Sequence, residues 1–227
     1  MISAVAFCPH PPLLVPEVAQ GAAPELDALR AACGTAIRRV AVNVSKLVVI
    51  GSGVRWQHHA PNARGSLSPY GVPLDIPLGS DEPGPVELPL SLTVGAWLLR
   101  DALGPNSGAI GYSVGPGDAT LPLFADEELV ALFVMGDGSA RRSTSAPGYL
   151  DDRAAVFDNQ IADVLASGDP ERLSVDGSLA RELLAAGAPA WNAAGILLRG
   201  RRFTGDLLFD AAPYGVGYFV ATWTADG

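Results

Sequence analysis

Six short apolar runs, each closed by turn-forming residues, constrain this chain more than any other feature: 2–8, 46–52, 107–114, 128–138, 202–209 and 216–223. Runs of this length, rich in β-branched and aromatic residues, predict strands. Stretches with helical spacing separate them. Segment 24–43 opens with Pro24-Glu25, a good first-turn pair, and repeats apolar residues through Val40. Segments 88–103 and 151–167 follow, and 177–200 reads as one or two helices with a break at Gly187 and Pro189. The early β-α-β order predicts an α/β fold, a single domain over 1–227 with a central mixed, mostly parallel sheet flanked by helices. The last two strands, joined through "DAAPYG", are placed to form a hairpin. Segment 54–86, rich in Gly, Pro and Ser, is the longest irregular stretch.

Composition narrows the function classes. With 48% hydrophobic and 17% charged residues, 227 residues can bury a substantial core. The formal charge of −9 argues against nucleic acid and anionic membranes, because phosphate recognition needs clustered cations. No apolar run reaches the roughly 20 residues of a membrane helix, and the N-terminus lacks the pattern of a secretory signal, so a cytoplasmic location is expected. Cys8 and Cys33 have neither a disulfide framework nor zinc-like spacing. Lys46 is the only lysine, and arginine carries almost all the positive charge, a usage typical of GC-rich genomes of the actinobacterial kind.

The polar residues gather behind the predicted strands, where open α/β sheets bind ligands. His10 stands between Pro9 and Pro11 after the first strand, held in a stiff extended turn. Ser52 and Gly53, then Trp56, His58 and His59, follow the second. Asp118 follows the third, and Asp137, Ser139, Arg141 and Arg142 the fourth. Each has a plain structural reading as well. His10 can be an incidental residue at a rigid strand exit, the His58-His59 pair can be solvated, and Asp118 and Asp137 can cap turns. "GDGS" lacks the spacing and lysine of a phosphate loop, and "GVGYFV" is not a dinucleotide fingerprint.

Taken in order, "FCPHPPLLVPEV", "KLVVIGSG", "GDGSARRSTSAPGYLDDRAAVFDNQIADVLASGDPERL" and "APYGVGYFVA" resemble the class III extradiol ring-cleavage dioxygenases. The similarity is to their catalytic B-subunit superfamily, which includes the Memo-like proteins. It implies the B-subunit fold and an Fe(II) held by two histidines and a carboxylate, with open positions for a catecholate and dioxygen. His10 matches the first histidine. Elsewhere the chain departs from the pattern. Gly53 stands where the second ligand histidine falls in "VVISPHG"-like relatives, and Ala119 and Ala140 occupy two further histidine positions. The "LLAAG" stretch carries neither the cysteine nor the acidic residue of some relatives.

Three functions are therefore expected as alternatives. The first is a dioxygenase with a rearranged Fe(II) centre: His10, one of His58 and His59, and Asp118 or Asp137 as ligands, with the other histidine as acid/base. Its substrate is a catechol-like aromatic stacked on Trp56 or Tyr214 near Ser52. The second is a metal-free relative, without cofactor, binding a small molecule or a partner protein in the old cleft, with Arg141 and Arg142 meeting an anion. The third is a metal-free hydrolase or transferase working from His10, Ser139 and Asp137. It is disfavoured because "GDGS" is not a nucleophile elbow. The resemblance also admits a homodimer.

Overall fold

Alternation within the first strand sets the layering. In β1 (Ile2–Cys8), Val5 and Phe7 join one apolar cluster while Ala4, Ala6 and Cys8 join another, so successive side chains feed opposite faces of the sheet. The computed structural model describes residues 1–118, 122, 124–125 and 128–226. After β1 come α1 (Pro16–Ala19), α2 (Asp27–Val40), β2 (Lys46–Ser52), β3 (Gln57–His59), β4 (Arg64–Ser66), β5 (Asp75–Pro77) and α3 (Leu90–Leu103). Then follow β6 (Ile110–Val114), β7 (Val130–Met135), α4 (Arg153–Ser167), α5 (Gly177–Glu182), α6 (Ala188–Leu198), β8 (Phe203–Ala211) and β9 (Tyr218–Ala225).

Seven strands form one mixed sheet in the order β3-β6-β2-β7-β1-β9-β8, and β4 pairs with β5 apart from it. The core, β6-β2-β7-β1, is parallel; β9 runs antiparallel to β1, β8 to β9, and β3 to β6. The fold is thus the single α/β domain expected, with the terminal hairpin in place. Leu29, Cys33 and Ile37 of α2 and Leu92, Leu98 and Leu99 of α3 pack on one face. Phe157, Ile161 and Leu165 of α4 and Trp191 and Leu198 of α6 cover the other. Trp223 of β9 locks that second layer. Its ring meets Phe7 edge-on at 4.9 Å, and its buried Nε1 donates to the Leu165 carbonyl at 2.7 Å.

Segment 54–86 is less irregular than its composition suggests. It supplies β3, β4 and β5, each three residues long, too short for alternation to register in the sequence. In segment 24–43, Pro24 lies inside a 3-10 stretch and the α-helix starts at Asp27.

Candidate functional site

The β1/β7 register builds the centre of the site. Cys8 pairs with Met135, the Gly136 amide donates to the Cys8 carbonyl at 2.9 Å, and one step further His10 arrives opposite Asp137. The His10 amide donates to Asp137 Oδ1 at 2.6 Å. Its Nδ1 lies 3.6 Å from the same oxygen, is buried, and has no hydrogen-bond partner. Gly136 cannot be replaced without disturbance, since a Cβ there would come within 2.6 Å of Trp191 Nε1.

The Asp137 loop is braced on two sides. The Gly187 amide donates to the Asp137 carbonyl at 2.9 Å, the Gly138 amide to the Gly217 carbonyl at 2.7 Å, and the Gly217 amide to the Ser139 carbonyl at 2.9 Å. Beneath it lies Asp158 of α4, fully buried, accepting from the Ser139 amide and from Arg142 Nη1, both at 2.8 Å. Burial pushes the Asp158 carboxyl up, against the pull of the Ser139 amide and the Arg142 guanidinium. Burial likewise pushes the Asp137 carboxyl up, and the His10 ring and amide oppose it. The charge of Asp137 reaches Tyr218, a buried residue of β9 whose phenol is raised first by burial and then by that charge, and so stays a neutral donor. Its hydroxyl has no hydrogen-bond partner among the described residues.

His10 and Asp137 are the pair that tertiary structure unites; the other expected site residues lie elsewhere. His58 and His59 are not on a loop folding back toward His10 but on edge strand β3. His59 pairs with Gly111, Gly111 with Val49, Val49 with Phe133, and Phe133 with Ala6. Four strand spacings of about 4.8 Å each therefore separate the strands of His59 and His10 by about 19 Å. Both ring nitrogens of His59 are engaged, Nδ1 with Glu87 Oε1 at 3.0 Å and Nε2 with Ser113 Oγ at 3.2 Å. His58 is exposed and stacks on Tyr112.

Asp118 is a turn residue, its carboxylate accepting from the Gly115 amide at 2.8 Å. Ser139 does not face His10: its buried Oγ donates to the Leu183 carbonyl at 2.9 Å and accepts from the Arg141 amide at 3.1 Å. Arg141 staples the loop by donating to the Gly148 and Glu182 carbonyls, and Arg142 neutralises Asp158, so neither guanidinium is held ready for an anion. Ser52 Oγ donates to the Ala186 carbonyl at 2.6 Å. Trp56 stacks on Tyr112 by the β3 edge, whereas Tyr214 precedes β9 and donates to Glu25 at 2.8 Å, so the two rings cannot face one ligand. Ala119 lies outside the described residues.

The donors do not fit an Fe(II) centre of two histidines and a carboxylate. Among the described residues no three His, Cys, Asp or Glu side chains are grouped so as to hold a metal ion. At Gly53 there is no room for a side chain: a Cβ there would sit 2.8 Å from Ser113 Cβ. A groove of about 260 Å³ lies away from His10, between β5 and α3, lined by Arg64, Leu74, Asp81, Trp97 and Arg100 among others. It holds none of the expected site residues; the polar convergence is at His10.

The sequence reading missed Tyr218 and Asp158. The "APYGVGYFVA" ending carried a signal for the first, whereas nothing in the pattern of α4 distinguishes Asp158 from a solvated residue.

No protein-family profile matches the sequence, and no curated protein is similar to it. The chain is similar in structure to an uncharacterized Escherichia coli K12 protein, JW3007, with a TM-score of 0.51 and 12% identity over 98% of this chain and 99% of that one. At that identity the likeness shows the fold alone. Among the described residues no helix is long and apolar enough to cross a membrane.

Proposed function

We propose that this chain is a divergent relative of the class III extradiol dioxygenases whose cleft has outlasted the iron centre, and that it binds a small hydroxylated aromatic molecule there without metal. The observation that carries the reading is the buried, unpartnered Nδ1 of His10 beside the Asp137 carboxylate and the free Tyr218 hydroxyl. A buried polar atom without a partner costs about 1–3 kcal/mol, a cost that a ligand hydroxyl bonding to it removes. An imidazole, a carboxylate and a neutral phenol together can accept from and donate to a diol or phenol. Aromatic ligands suit the neighbourhood, for Tyr214 lies within electrostatic reach of the Tyr218 phenol. The two free, buried thiols and the acidic surface suit a cytoplasmic setting.

The test is calorimetry on metal-stripped protein, titrated anaerobically with Fe(II) and separately with catechol, beside His10→Ala. The expected outcome is saturable catechol binding lost in the variant, and no Fe(II) binding. Stoichiometric Fe(II) binding lost in His10→Ala overturns the metal-free reading, and an absence of catechol binding overturns the ligand class.

A further inference from the structure

The β3 edge holds a second constellation, four strands away from His10. Ser113 Oγ lies 3.2 Å from His59 Nε2, and His59 Nδ1 lies 3.0 Å from Glu87 Oε1. Glu87 orients the ring: with the Nδ1 proton shared with its carboxylate, Nε2 faces the serine oxygen, and the serine proton, directed at the Arg55 carbonyl, has to turn from it to reach Nε2. The strand register makes this arrangement. His59 stands opposite Gly111, which has no side chain, and so can reach diagonally to Ser113, two residues along on the same face of β6. Glu87 is anchored from outside the sheet, its amide donating to the Arg64 carbonyl at 2.9 Å.

Ser113 is also the centre of a G-x-S-x-G sequence, Gly111-Tyr112-Ser113-Val114-Gly115. It lies within β6 and not at a strand-to-helix turn, so it is not an elbow of the α/β-hydrolase kind. A triad is recognised by geometry and roles, and the spacing of the three side chains is of that kind. The head of α3 adds donors. A Cβ built on Gly53 would lie 2.8 Å from Ser113 Cβ and 3.7 Å from Pro89, the residue capping α3, so serine and helix start converge on Gly53. The Leu90, Ser91 and Leu92 amides lead that 14-residue helix without acceptors inside it. Ser113 is 5% exposed, and its hydroxyl donates to the Arg55 carbonyl at 3.1 Å, in a loop whose Val54 is 96% exposed.

We propose that Ser113, His59 and Glu87 form an acyl-transfer triad acting on small carboxylic esters. Ser113 Oγ bonds to the ester carbonyl carbon while its proton passes to His59 Nε2. The carbonyl oxygen takes up the negative charge facing the first turn of α3. Collapse breaks the carbon–oxygen bond to the leaving alcohol, which receives the proton from Nε2. Water then adds to the acyl-serine by the same route, giving the carboxylic acid and free Ser113. Glu87 orients the imidazole and stabilises its charged form.

A fluorophosphonate probe tests this on the intact wild-type chain, because phosphonylation of Oγ with loss of fluoride needs the same activated serine. The expected result is one adduct, mapped to Ser113 by peptide mass spectrometry, absent in Ser113→Ala and formed about a hundred-fold more slowly in His59→Gln. Glu87→Gln, at a partly exposed position, slows it while leaving the melting temperature close to wild type. No adduct on the folded wild-type protein, or an adduct at another serine, overturns the proposal without recourse to any variant. The outcome is independent of ligand binding at His10.

Discussion

His10 touches Asp137 through its main chain and not through its ring: the amide donates to Oδ1 at 2.6 Å, while Nδ1 stands 3.6 Å from the same oxygen with no partner. Asp137 is thus held in place by a neighbour whose side chain stays uncommitted. That combination positions two polar groups without consuming them.

The Asp137 carboxyl should cost stability at neutral pH. Burial raises it above its ordinary value of 3.8, so the folded state binds the proton more tightly than the unfolded state. Stability then falls as pH rises from about that ordinary value through the folded one. Asp137→Asn keeps an oxygen for the His10 amide and removes the charge. Its melting temperature should exceed that of wild type at pH 7 by a few degrees, and the difference should vanish near pH 3, where both states are protonated. Equal gains at both pH values would contradict the account.

Asp158 and Arg142 should behave as a buried pair. Asp158→Ala strands the Arg142 guanidinium and the Ser139 amide and should destabilise by about 3–5 kcal/mol in urea melts. Arg142→Met combined with Asp158→Leu should cost much less than Asp158→Ala, because no charge is then left unpaired. The coupling follows from a double-mutant cycle.

Placing a histidine at position 53 should not create a metal centre. Even Gly53→Ala should cost about 1–3 kcal/mol by overpacking against Ser113, and Ser113→Gly should recover part of that loss. Gly53→His should bind no Fe(II) by calorimetry, since Ser113 occupies the space into which a side chain at 53 would extend.

Asp151 should titrate unusually low. Hydrogen bonds from the Arg153 guanidinium and amide hold its carboxyl at about 2, against an ordinary 3.8. A depressed carboxyl supports the fold above its ordinary value and loses that support as pH falls through the depressed one. Carbon-detected NMR should place the midpoint near 2 in wild type and higher in Arg153→Ala, yet still below the ordinary value, because the amide of residue 153 continues to donate. The Arg153 side chain is exposed, so high salt should narrow the difference.

The sequence by itself determined the layers. Ile2–Cys8 and Lys46–Ser52 were legible to the residue, because a buried parallel strand writes itself as an uninterrupted apolar run between turn residues. The β8-β9 hairpin was legible for a similar reason, as was the concentration of polar residues behind the strands. The pairing of His10 with Asp137 was half visible: both follow strands, but only the β7-β1 adjacency makes them neighbours.

Strand order decided the rest, and nothing local encodes it. His58 and His59 read like companions of His10 because they also follow a strand, yet β6, β2 and β7 stand between β3 and β1. Ser139, Arg141 and Arg142 read like free functional groups because a sequence shows side chains and not the carbonyls and buried carboxylate that claim them. Ser113, His59 and Glu87 are scattered over 55 positions of the chain, from 59 to 113. His59 and Ser113 meet because an antiparallel edge strand turns a sequence separation into a diagonal contact, a relation that exists only once the sheet has formed, and Glu87 reaches them from the segment tied to Arg64.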